Sequence, residues 1–104
     1  MRRLKTLTIF FLFKISVVAQ VGEELYRPTF HYSPRINWMN DPNGLVYFKG
    51  KYHLFYQYNP SGIEPNNISW GHAISTDLVN WEEKPVAIPA QNGVMAYSGS
   101  VVVD

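Results

Sequence analysis

The chain has 104 residues, no cysteine, nine basic and eight acidic side chains, and a formal net charge of +1. Without cysteine it forms no disulfide and no thiolate metal site. Four of the basic residues, Arg2, Arg3, Lys5 and Lys14, stand near the N-terminus, so the rest of the chain carries five basic residues against eight acidic ones, a net charge of −3. That balance leaves nothing to grip a phosphate backbone and excludes nucleic acid as a partner.

Residues 1–19 read as a secretory signal peptide. Arg2, Arg3 and Lys5 give the positive start, residues 7–13 the apolar centre, and Val17-Val18-Ala19 the small residues for cleavage after Ala19. Lys14 interrupts the apolar run, and an uncleaved anchor is the alternative. The run is too short to span a bilayer, which takes about 20 residues. The mature chain is thus expected to start at residue 20, to be secreted, extracellular or periplasmic, and to keep no membrane contact once the leader is gone.

Residues 26–32 are extended, since Pro28 forbids a helix interior. Next comes Asn37-Trp38-Met39-Asn40-Asp41-Pro42-Asn43-Gly44. Asp-Pro-Asn-Gly is turn chemistry: Pro42 presets φ, Asn43 tolerates unusual dihedrals, and Gly44 takes a positive φ without steric cost. Set among aromatic residues, such a turn also holds a carboxylate rigidly and aims it, as a sugar site requires.

Residues 45–48 and 52–58 predict two strands joined at Lys49-Gly50. The second is apolar or aromatic on both faces: Tyr52, Leu54, Tyr56 and Tyr58 on one, His53 and Phe55 on the other. Such a strand belongs between two other layers. Gln57 is its polar exception. Pro60, Gly62 and Pro65 mark residues 59–67 as a loop. Residues 68–75 predict a third strand, Asp77 caps the connection that follows, and residues 82–88 predict a fourth strand ended by Pro89. After a loop with Gly93, residues 97–103 predict a fifth. Four consecutive antiparallel strands and a fresh one fit one blade of a β-propeller and the start of the next. His31, His53 and His72 are too scattered to read as metal ligands.

Four stretches recur together in order: Trp38-Met39-Asn40-Asp41-Pro42-Asn43-Gly44, Phe55-Tyr56-Gln57-Tyr58-Asn59-Pro60, Ser69-Trp70-Gly71-His72-Ala73 and Tyr97-Ser98-Gly99-Ser100. They resemble the motifs of glycoside hydrolase family 32, the invertases, inulinases and levanases, over residues 26–104. The resemblance implies an all-β fold: the first blade and the start of the second blade of a five-bladed β-propeller, usually followed by a β-sandwich. It implies hydrolysis of β-fructofuranosyl linkages in fructans or sucrose with retention, and neither cofactor nor metal. Asp41 becomes the nucleophile. Asn40, Gln57, Trp70, Tyr97 and Ser98 become substrate-binding residues, although Trp70 reads equally as a core aromatic of the blade. The family's acid/base glutamate, in a Glu-Cys motif, and its Arg-Asp-Pro aspartate have no counterpart in these 104 residues. The chain is therefore expected to be the N-terminal part of a longer enzyme, inactive alone. A fructosyltransferase, which passes the sugar to another sugar, and a truncated non-catalytic fructan-binding fragment are the alternatives.

Two departures from the family pattern bear on substrate preference. Tyr97 stands where the family has phenylalanine, and Pro65-Asn66 where many members carry a tryptophan and a glycine. Asn67-Ile68-Ser69 is a glycosylation sequon, relevant in a eukaryotic source.

Overall fold

A computed structural model describes residues 26–28 and 30–104; the expected leader and the start of the mature chain lie outside the described residues. The fold is one four-stranded antiparallel meander: β1 (Met39–Phe48), β2 (Lys51–Tyr58), β3 (Ser69–Ser75) and β4 (Glu82–Ile88), in the spatial order β1-β2-β3-β4. The described residues contain no helix.

The β1–β2 hairpin closes at Lys49-Gly50 with φ values of 47° and 80°. Two central residues at positive φ match the twist of the flanking strands, as the sequence predicted. Residues 76–80 turn around Asp77. Its Oδ1 accepts from the Val79 and Asn80 backbone N–H groups at 2.9 and 2.7 Å, and its Oδ2 from Asn80 Nδ2 at 2.8 Å. These donors, Asn80 above all, hold the Asp77 carboxyl well below the usual carboxylate range.

The sheet is apolar on both faces, as its second strand predicted. On one face Tyr56, Tyr58 and Ala73 form the buried centre, with Tyr32, Met39, Leu54, Trp81 and Val86 packed around it. The Tyr56 ring lies over its cross-strand partner Gly71: a Cβ there would come within 2.2 Å of Tyr56 Cε2. The Tyr32 and Tyr56 hydroxyls share a hydrogen bond of 2.7 Å. Burial pushes the Tyr32 phenol up to about 12, and that of Tyr56 higher still.

The opposite face carries Phe55, Gln57, Trp70 and His72, with His53 beyond them. Phe55 stacks on His72 with ring centroids 4.6 Å apart, and His53 Nδ1 lies 3.1 Å from His72 Nε2. One imidazole must donate and the other accept, so the pair cannot hold this bond with both rings protonated. Burial first, then His53 and Lys84, hold the His72 imidazole below its ordinary value of 6.5. The unfolded chain therefore takes up a proton near pH 6.5 and the fold only at lower pH, so stability is full above that value and falls as the pH drops through the window beneath it. We expect the unfolding midpoint of the intact protein to fall between about pH 7 and pH 5, and His72→Gln to flatten that slope. An unchanged slope in the variant would count against this pair as the cause.

Two sequence expectations are corrected. The Asp41–Gly44 stretch is not a free turn but part of β1, which starts at Met39 rather than at residue 45. Residues 97–103 form no strand; they run without a ladder partner among the described residues. A strand is defined by its pairing, and here single bonds hold the segment, such as Trp70 Nε1–H to the Tyr97 carbonyl at 2.8 Å.

Candidate active site

The site is built on a defect in β1. Asn40 pairs with Gln57 and Pro42 with Tyr56, so Asp41 is an extra residue opposite no partner. A second extra residue lies between Asn43, paired with Phe55, and Val46, paired with His53. These are two β-bulges in an edge strand, which explains how Pro42 and Gly44 can sit there. Proline forfeits no ladder bond at such a place, and Gly44 adopts a φ of 57°. Its missing Cβ matters too: one would meet Val101 Cγ2 at 2.8 Å and Phe55 Cδ2 at 3.0 Å.

In a regular strand Asn40 and Asp41 would point to opposite faces. The bulge turns them to the same side, and Asn40 Nδ2 donates to Asp41 Oδ1 at 2.9 Å. The second oxygen, Oδ2, accepts from Ser98 Oγ at 3.0 Å. Ser98 Oγ in turn accepts from Gln57 Nε2 at 2.7 Å. An amide nitrogen only donates, so the single Ser98 proton is directed at Asp41. Both carboxylate oxygens are thus engaged and the side chain's rotation is fixed, while Asp41 itself stays exposed. Gln57 is 7% exposed and stands between Asn40 on β1 and Trp70 on β3.

The structure brings Asn40, Asp41, Gln57 and Ser98 into one hydrogen-bonded group. The Tyr97 side chain is exposed beside it, 62% accessible. Trp70 lies beneath: it is 7% exposed, its indole N–H donates to the Tyr97 carbonyl at 2.8 Å, and its ring packs 5.7 Å from that of Phe55. So buried an indole offers little surface to a sugar, in keeping with the core-aromatic alternative. Asn43 was read only as turn chemistry. It is buried, and its Nδ2 donates 3.2 Å to the Asp41 carbonyl, bracing the bulge. Its Oδ1 meets no donor among the described residues.

The loop of residues 59–67 flanks the same end of the sheet. Asn59, 2% exposed, is its hub: Nδ2 donates to the Glu64 carbonyl and Asn66 Oδ1, both at 2.9 Å, and Oδ1 accepts from Ser61 N–H at 2.9 Å. Trp38 N–H donates to the Gly62 carbonyl at 3.0 Å, and its own carbonyl accepts from Asn59 N–H at 3.0 Å, lacing the loop to the start of β1. Pro65 and the sequon residue Asn67 are exposed on it. A hollow of about 490 Å³, lined by Tyr32, Arg35, Trp81 and Glu83 among others, lies on the other face of the sheet and shares no residue with this group. Among the described residues no three His, Asp or Glu side chains gather as metal ligands.

The model of the Glycosyl hydrolases family 32 N-terminal domain matches residues 31–104. The chain belongs to glycoside hydrolase family 32. Within the family it is 54% identical over 105 residues to an extracellular exo-inulinase of Aspergillus awamori, covering 96% of this chain and 19% of the relative. It is 57% identical over 83 residues to a levanase of Bacillus subtilis (strain 168), covering 79% and 12%. The crystal structure of exo-inulinase from Aspergillus awamori superposes with a TM-score of 0.72 at 63% identity, covering 76% of this chain and 16% of that one. The chain thus spans less than a fifth of the length of the curated relatives it matches. In family 32 the N-terminal domain is a five-bladed β-propeller, and the all-β meander described above takes the place of a blade within it.

Proposed function

We propose that the protein containing this chain is a secreted β-fructofuranosidase-type hydrolase that cleaves terminal fructosyl units from fructans or sucrose with retention, using Asp41 as nucleophile. The observation that carries this reading is the bulge that turns Asp41 toward Asn40, Gln57 and Ser98 and fixes both its oxygens. Relatives named exo-inulinase and levanase support the substrate class. Retention needs two carboxyl groups about 5–5.5 Å apart. Asp41 attacks the anomeric carbon, and the bond to the leaving oxygen breaks as the second carboxyl protonates that oxygen. Water then releases the fructosyl group from Asp41, giving up its proton to the same second carboxyl. By the family resemblance that second group is a glutamate outside these residues. Asn40 and Gln57 offer amide groups to the sugar hydroxyls, Ser98 lies at the carboxylate itself, and the exposed Tyr97 ring offers a flat face with a hydroxyl at its edge. Secretion is supported by the extracellular relatives, and removal of residues 1–19 follows from reading them as a leader.

The test is to incubate the intact protein with inulin, levan and sucrose and to follow the first-formed anomer of fructose by NMR. The expected result is fructose released from the chain ends, first as the β anomer. Release of the α anomer, or no hydrolysis of any of the three, would overturn the reading. Transfer of fructose onto sucrose in place of release would favour the transferase.

A further inference from the structure

We propose that Trp70 is a positioning residue for Asp41: by holding the Tyr97 carbonyl it sets where Ser98 stands, and through Ser98 it sets the orientation of the carboxylate. The need for such a residue follows from the fold. Ser98 lies in a segment with no ladder partner among the described residues, and residues 97–100 are exposed. Nothing in the sheet's own pairing fixes its hydroxyl. Two backbone contacts flank it, Ala96 N–H on the Ile68 carbonyl and the Tyr97 carbonyl on Trp70 Nε1, both at 2.8 Å. The second is immediately next to Ser98.

Trp70 is itself held firmly. It sits on β3 directly across from Gln57, so one cross-strand pair supplies both anchors of Ser98: the Gln57 amide on its hydroxyl and the Trp70 indole on the preceding carbonyl. The ring fills the space left by two glycines. A Cβ at Gly99 would lie 3.2 Å from Trp70 Cζ2, and one at Gly44 would lie 3.3 Å from Cζ3. The indole therefore touches the signature strand and the Ser98 segment together. Because the bond from Ser98 to Asp41 is 3.0 Å, a shift of the segment by half an ångström or so loses it.

The role in catalysis rests on Asp41 being the nucleophile, so the test has one arm that depends on turnover and one that does not. In the intact protein Trp70→Phe keeps an aromatic ring and removes the donor. We expect kcat to fall about tenfold, with any rise in KM, through the Tyr97 ring on the same segment, smaller than that. Ser98→Ala should cost about tenfold to a hundredfold, and the double variant no more than Ser98→Ala alone. In a crystal structure of Trp70→Phe the Ser98 Oγ to Asp41 Oδ2 distance should open beyond about 3.5 Å, whatever the reaction. An unchanged distance, or penalties that multiply in the double variant, would overturn the proposal. Should Trp70→Phe fail to fold, Gly99→Ala presses the same contact from the other side; its kcat should fall by more than its KM rises, and normal kcat would overturn the proposal equally. If Asp41→Asn proves active while the distance opens as expected, the nucleophile reading fails and the positioning by Trp70 stands.

Discussion

Asp41→Asn in the intact protein is expected to lower fructan and sucrose turnover by about 10⁴-fold or more, since in the proposed mechanism Asp41 forms the covalent bond to the sugar. The substitution keeps the shape of the side chain and its acceptor oxygen, so the contact with Asn40 survives and the ladder around the bulge is untouched. Asp41 is exposed, and the isosteric amide opens no cavity and buries no new group, so the cost in stability should be small. The thermal midpoint should therefore be that of the parent, which separates loss of chemistry from loss of fold. Near-normal turnover in this variant would remove Asp41 from the role.

Gly71→Ala should have the largest effect on stability. The new methyl group would sit 2.2 and 2.3 Å from Cε2 and Cζ of Tyr56, distances at which something must move. The Tyr56 ring has little freedom: it is 1% exposed and its hydroxyl is bonded to that of Tyr32. Overpacking of this kind costs about 1–3 kcal/mol and occasionally more, and we expect the upper end, read as a marked fall in thermal midpoint. Tyr56→Leu should relieve the clash, so that adding Gly71→Ala to that variant costs less than about 1 kcal/mol more. A Gly71→Ala protein as stable as the parent would show that the tyrosine can move aside.

How far the sequence disclosed this structure depends on how local each feature is. The Lys49-Gly50 hairpin and the strand over residues 82–88 were legible because short-range pattern decides them. Pro42, Asn43 and Gly44 misled for a physical reason: the dihedrals that make a turn also make a bulge, and only the register of Asn40 on Gln57 and Pro42 on Tyr56 tells the two apart. Residues 97–103 end in three β-branched valines that suit a strand, but pairing is a non-local property, and in the structure they pair with nothing described. The resemblance to the family's motifs singled out Asn40, Asp41, Gln57 and Ser98. That Ser98 donates a hydrogen bond to Asp41 depends on a bulge on one strand and on the crossing of a distant segment, which no spacing encodes. Asn43 and the anchoring role of Trp70 stayed hidden because each acts through a backbone carbonyl, which leaves no mark on residue choice.

Among the described residues the bulged strand β1 also stands at the margin of the sheet, with β2 on one side only. A straight strand in that position would present a row of free backbone groups to which another chain could zip, the common first step of aggregation. Pro42 withholds a donor and the two bulges break the repeat, so an incoming strand finds no run to match. The distortion that turns the Asp41 carboxylate thus also denies a partner strand a regular edge to pair with. A replacement that straightened β1, such as Pro42→Val with residue 41 deleted, would forfeit turnover and leave the protein prone to self-association in the same stroke.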